Sequence, residues 1–258
     1  MASQHDPLLA RAWRPTAVIV AIIAGAEIAQ RLSWLPVYIP SPSAALANVI
    51  AKPSLLFANL GPTVGRAAAG FCIAAFLTFA AASVAALLRP LQGAVYNFGA
   101  ILHSMPIIAT APLLALWMGT GAPLQVTLAA LACQFPMLVG GIQGLKSADA
   151  SQRELLLVLS ASKMQTLRYL LFPSALPYLF AGLKVAAPSA VLGTITAEWA
   201  GSDRGIGAMM LYALFAYDTP TVWLSVILTC LLSAAGYGFW AFVESLVVVS
   251  PREIELAD

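Results

Sequence analysis

The sequence predicts an all-α membrane protein with six transmembrane helices and both ends on the cytoplasmic side. Three observations predict it. Of 258 residues, 60% are apolar and 9% charged, and the mean hydropathy is +0.87. A soluble domain carries about a quarter charged residues and about half apolar ones, and a disordered chain is poor in apolar residues, so both classes are excluded. The apolar residues form continuous runs with Gly and Pro inside them, which favours helices over barrel strands that would alternate. The basic residues, finally, are unevenly shared between the connections. A net charge of +2 gives no case for a nucleic-acid partner. Cys72, Cys133 and Cys230 lie singly in apolar segments and suggest neither a disulfide frame nor a metal site.

A helix needs roughly 20 apolar residues to cross the hydrocarbon, and six segments qualify: Thr16–Leu35, Arg66–Leu88, Val95–Met118, Pro123–Leu145, Ala175–Ala200 and Val222–Val249. The first is the weakest, because Glu27, Gln30 and Arg31 interrupt it. Arg11 and Arg14 before a short apolar core also fit a signal peptide with cleavage near Ala24-Gly25-Ala26. A retained span is preferred, since Trp34 and Tyr38 then anchor its far end at the interface. With the N-terminus inside, Arg11, Arg14, Arg89, Lys146, Arg153, Lys163, Arg168 and Arg252 are cytoplasmic, while Arg31, Lys52, Arg66 and Arg204 are outside. Eight against four obeys the positive-inside rule, with Lys184 left as a span residue.

Three connections are long enough to carry function. The outer segment 36–65 holds Pro40-Ser41-Pro42-Ser43 and two apolar pieces, Ala44–Ile50 and Leu55–Leu60, which fit surface-lying helices. The outer loop 201–220 holds Asp203-Arg204-Gly205-Ile206-Gly207 and an aromatic patch of Tyr212, Phe215 and Tyr217. The inner loop 146–172 carries Leu155–Leu159 beside Arg153 and Glu154. A break follows at Ser160-Ala161-Ser162-Lys163, with Ser as a helix cap. Leucines outside the bilayer need a partner or the ends of the spans to cover them; a loop packing only on its own chain is the plainer alternative. No repeat with a period of 20–50 residues is present, which excludes a solenoid.

Covalent chemistry is not legible. The nearest approach to a phosphate-binding loop, Gly140-Gly141-Ile142-Gln143-Gly144-Leu145-Lys146-Ser147, has Leu145 between Gly and Lys and no strand before it. His5 and His103 have no Cys or carboxylate neighbours at ligand spacing. His103 and Ser104 are adjacent, so on a helix they point about 100° apart and form no nucleophile–base pair. No cofactor is expected.

The inner loop carries a resemblance. Glu154, then Ser160-Ala161-Ser162-Lys163, then Pro173-Ser174-Ala175-Leu176-Pro177 resembles the EAA loop of bacterial ATP-binding-cassette (ABC) importer permeases, in which this segment is the coupling helix that docks on the ATPase. Leu155 and Leu156 stand where that family has two Ala, and Ser160 where it has Gly. The resemblance runs over about Pro40 to Val249. Met105-Pro106, Ala111-Pro112-Leu113 and Leu116-Trp117-Met118-Gly119-Thr120-Gly121 are similar to the third span of nitrate/sulfonate/taurine-type permeases. Pro40–Ser43, Thr63-x2-Arg66, and Thr196-Ala197-Glu198-Trp199 ahead of Gly205-Ile206-Gly207 are similar as well.

The resemblance implies one permease domain over 16–249 between cytoplasmic tails 1–15 and 250–258, in the bacterial inner membrane. It implies a second copy of the chain, cytoplasmic ATPase subunits and a periplasmic solute-binding protein as partners. Glu154, Ser160, Ala161, Ser162 and Lys163 become the ATPase-coupling candidates. Pathway or gate candidates are Pro106 and Pro112, which kink span three or only pack there, together with His103, expected in an interhelical hydrogen bond, and Gln134 and Glu198. Glu198 would orient the Gly-x-Gly loop or shape the outer gate. Gly140-x-x-x-Gly144 permits a close helix approach. The alternative of a different class is an ion-coupled secondary transporter, which would favour inverted repeats and a mid-membrane carboxylate or His relay. Nothing in the chain selects among nitrate, sulfonates, taurine and thiamine precursors.

Overall fold

A computed structural model describes residues 7–36, 38–51, 53–88 and 90–248. The ends of the two tails, Val249, and the basic residues Lys52, Arg89 and Arg252 used in the charge count lie outside the described residues, as do the side chains of Arg11 and Arg14. The described chain folds into helices α1 (Pro7–Arg31), α2 (Pro42–Ala51), α3 (Pro53–Leu87), α4 (Leu91–Ser104), α5 (Ile107–Met118) and α6 (Ala122–Lys146). These are followed by α7 (Ala150–Val158), α8 (Lys163–Thr166), a π-helical turn (Leu167–Leu171), α9 (Phe172–Trp199), α10 (Ile206–Phe215) and α11 (Thr219–Val247). Among the described residues, four helical rods are long and apolar enough to cross a membrane: α3, α6, Lys163–Trp199 and α11. The bent pair α4–α5 makes a fifth if it counts as one span.

The central helix is α6, packed between α9 and α3. Small residues allow the contact. A Cβ on Gly140 would lie 2.5 Å from Tyr178 O, and one on Gly182 2.7 Å from Pro136 O, so α6 and α9 meet backbone to backbone. Close approach of this kind holds membrane helices together where lipid removes the hydrophobic drive between them. Phe71, Ala74, Ala129, Cys133, Met137, Phe180 and Leu183 fill the centre. Trp240 of α11 closes it by stacking on Phe71 with ring centroids 5.4 Å apart.

Three segment boundaries differ from the sequence expectation, each for a local reason. The apolar piece Leu55–Leu60 is not a separate surface helix but the first turns of α3, which runs through Pro62 for 35 residues. At 1.5 Å per residue that is about 50 Å, more than the roughly 30 Å hydrocarbon thickness. The span expected at Val95–Met118 is two helices bent by 91°. Met105 precedes Pro106 and is pushed to extended backbone (ψ 125°), which ends α4 outright. Pro112, by contrast, sits inside α5 and is absorbed there.

Lastly, the inner loop 146–172 runs into span five without a break at Pro173 and Pro177. They lie in the first turn and the interior of α9, which continues α8 and the π turn as one rod, Lys163–Trp199. Pro173 cannot donate to Tyr169 O, and the turn just before it widens so that Phe172 N–H reaches Leu167 O, five residues back.

Candidate functional site

Two ends of the bundle carry the polar residues. At one end, three successive backbone N–H groups opening α10 are each taken by a side chain from another element. Gly205 N–H donates to Asn59 Oδ1 at 3.0 Å, Ile206 N–H to Thr63 Oγ1 at 2.9 Å, and Gly207 N–H to Glu198 Oε2 at 2.7 Å. Thr63 Oγ1 in turn donates to Glu198 Oε1 at 2.7 Å. Thr63 is fully buried and Glu198 1% exposed. A carboxylate at a helix N-terminus meets both the orphan donors and the positive end of the dipole, so Glu198 is the remote cap of α10.

The loop between α9 and α10 has to approach that carboxylate closely. Gly205 takes φ 130°, and a Cβ there would collide with the Glu198 carboxylate. Gln125 Nε2 on α6 donates to Ser202 Oγ at 2.9 Å, Ser202 Oγ donates to Arg204 O at 2.7 Å, and Arg66 Nη1 on α3 reaches the same carbonyl at 3.2 Å. Asp203 and Arg204 remain exposed above this knot, beside Tyr212, Phe215 and Tyr217, which are exposed too.

The other acids inside apolar helices are also committed. Glu27 accepts from Ser43 N–H at 3.1 Å in the first turn of α2 and pairs with Arg31 at 2.9 Å. Lys184 on α9 pairs with Glu244 on α11 at 2.5 Å.

At the opposite end, α7 begins at Asp149, whose side chain accepts from Ser151 N–H at 2.9 Å. Arg153 Nη2 ties α7 to α6 through Leu145 O at 3.1 Å, and Leu156 turns inward against Leu145 and Leu170. Leu155, Leu157, Val158 and Leu159 face outward, Val158 at 81% exposure. The helix closes with Ala161 N–H on Leu156 O and Ser160 N–H on Leu157 O, the paired bonds of a Schellman motif. Ser160 is the left-handed residue of that motif, φ 55°. Ser162 and Gln165 then form a reciprocal capping box that starts α8 with Lys163.

The five coupling candidates Glu154, Ser160, Ala161, Ser162 and Lys163 therefore occupy one helix–turn–helix at one end of the bundle. The pathway candidates are not gathered into one site. Gln134 Nε2 donates to Gly99 O at 3.3 Å and joins α6 to α4. The His103 ring stacks on Phe135 at 4.6 Å, and among the described residues it makes no interhelical hydrogen bond of the kind expected. Pro106 marks the α4–α5 break, Pro112 lies within α5, and Glu198 belongs to the knot around α10. Sequence reading missed Asn59, Gln125, Ser202 and Glu244 as partners. Glu244 and Gln125, polar groups inside apolar runs, were the available signals.

Comparison with known proteins assigns this architecture. Residues 74–249, more than half of the chain, match the family described as binding-protein-dependent transport system inner membrane component. The chain is 28% identical over 239 residues to the formylaminopyrimidine transport permease protein ThiX of Halalkalibacterium halodurans, covering 92% of this chain and 96% of that one. It is 29% identical over 220 residues to the riboflavin transport system permease protein RibX of Chloroflexus aurantiacus, covering 84% and 82%. Over 189 residues it is 28% identical to the putative aliphatic sulfonates transport permease protein SsuC of Bacillus subtilis, covering 73% and 68%. The chain belongs to the inner-membrane component family of binding-protein-dependent transport systems, and is a non-catalytic permease component of an ABC transporter for small solutes.

Proposed function

We propose that two copies of this chain form the translocation path of an importer, each crossing the bacterial inner membrane six times with both ends cytoplasmic. Separate ATPase subunits bind the α7–α8 end, and a periplasmic solute-binding protein binds the Asp203 end. The observation that carries the reading is the outward face of α7. Leu155, Leu157, Val158 and Leu159 are all more than half exposed on a short helix beyond the ends of the spans. Covering such side chains is worth about 1.5–3 kcal/mol each, and an ATPase groove supplies the cover. Glu154 and Lys163 give polar contacts at its rim, while Ser160, Ala161 and Ser162 hold the turn.

The stroke then has a continuous route. Force on Lys163 passes along the rod Lys163–Trp199 to Glu198, and through Glu198 to α10 and α3. The break at Pro106 lets α5, with Pro112 inside it, move against this rod, with His103 on α4 and Gln134 on α6 on the other side of the break. Tilting of spans three to five alternates access. Relatives named for formylaminopyrimidine, riboflavin, sulfonate, taurine and nitrate transport favour a small solute of that range.

Val158→Asp tests the docking face. It adds a charge at an exposed position, so the variant should insert and melt as the parent does, while its affinity for the ATPase falls at least tenfold. Parental affinity would remove α7 from the interface.

A further inference from the structure

Between the end of α3 and the α7–α8 segment lies an open pocket of about 450 Å³, within the span of small-molecule sites, about 300–1,000 Å³. Its walls divide by chemistry. Leu87, Leu88 and Pro90 give an aliphatic wall at the end of an apolar span, while Arg153, Lys163 and Thr166 give two cations and a hydroxyl. Among the described residues no carboxylate lines the pocket, and neither cation joins an ion pair. Arg153 commits Nη2 to Leu145 O, yet its Nε is buried without an acceptor. Nε lies beneath the surface, so it is the part of the guanidinium lining the pocket, with the Lys163 ammonium, that a ligand reaches, and charge-assisted bonds to a phosphate oxygen are the strong way to engage such cations.

We propose that this pocket holds the headgroup of an anionic phospholipid, its phosphate against Arg153 and Lys163 and the root of its acyl chains along Leu87 and Leu88. The amphiphilic walls favour a lipid over free phosphate, which has no use for the aliphatic side. The ATPase is the competing occupant, since Leu157, Ala161 and Lys163 also belong to its proposed contact, but Leu155, Val158 and Leu159, the rest of the run it would cover, lie off the pocket. Basic pockets at the cytoplasmic ends of spans recognise such headgroups by the same physics. The site rests on the proposed function only for the leaflet it faces.

The test is native mass spectrometry of the purified full chain in detergent with added phosphatidylglycerol or phosphatidylcholine. The parent should retain phosphatidylglycerol at least fivefold more than phosphatidylcholine. Arg153→Gln, and Ala86→Phe, which fills the pocket while keeping both cations, should each abolish the preference. Arg168→Gln, a cation that stacks on Tyr169 and lies off the pocket, should keep it, and millimolar inorganic phosphate should not displace the lipid. Thermal melting of all variants excludes misfolding as the cause; if Arg153→Gln does not fold, Ala86→Phe decides. Equal retention of both lipids, loss in Arg168→Gln, or displacement by phosphate would each overturn the proposal. So would loss of ATPase binding by Ala86→Phe in membranes of phosphatidylcholine alone, which would assign the pocket to the protein partner. Binding to the ATPase through Val158 is measured separately, so failure of either reading is seen on its own.

Discussion

Single residues at the two ends of the molecule do different kinds of work. Thr63 is the pivot of the α10 knot, because one hydroxyl donates to Glu198 and accepts from Ile206 N–H. Thr63→Val conserves shape but leaves a buried carboxylate oxygen and a buried N–H unpaired. Unsatisfied groups cost about 1–3 kcal/mol each, so thermal unfolding in detergent should show a loss of about 2–6 kcal/mol, and Glu198→Gln, which can still accept from Gly207 N–H, a smaller one. Ser160 is the reverse case. It sits at φ 55°, where an L-residue pays about 1–2 kcal/mol that Gly avoids. Ser160→Gly, the residue the family resemblance leads one to expect, should raise the unfolding midpoint and leave transport intact.

At the scale of elements, much of the sequence reading stands and its errors have causes. Apolar length located α3, α6, α9 and α11, and α2 was foreseen from Ala44–Ile50. Boundaries differ from the expectation where a helix runs through Pro or is broken by it. Pro62, Pro173 and Pro177 are all carried inside helices, while Pro106, expected to kink one, breaks it. The difference lies in the backbone before each Pro: Pro173 follows a π turn that spares its missing N–H, whereas Met105 takes extended backbone and turns its N–H back to Leu102 O. The glycine spacing Gly140-x-x-x-Gly144 was legible as a contact face, but its partner was not, since Tyr178 and Gly182 are brought to it only by the fold. Gly182→Leu should force α9 off Pro136 and Met137 of α6. Overpacking of this kind costs about 1–3 kcal/mol and sometimes more, and a fall in the unfolding midpoint larger than for Gly238→Leu, whose Cβ meets open space, is the expected readout.

The described chain is a helical bundle with polar fixtures at both ends and the continuous rod Lys163–Trp199 between them. Glu198 was legible in the sequence because a motif surrounds it; Asn59, Thr63 and Gln125 were not legible as its companions, because they are contributed by α3 and α6 and meet the loop only in the folded chain. Membership of the permease family follows from residues 74–249; in the proposed mechanism drive enters at the α7–α8 end and access changes at the other. The direct measurement is uptake by proteoliposomes holding this chain and its ATPase, with the solute-binding protein supplied on the Asp203 side and ATP on the α7–α8 side. The account predicts solute accumulation that requires all three proteins and ATP, and that Val158→Asp abolishes while the ATPase alone keeps its turnover. Accumulation by this chain alone along an ion gradient, or undiminished uptake by Val158→Asp, would contradict it.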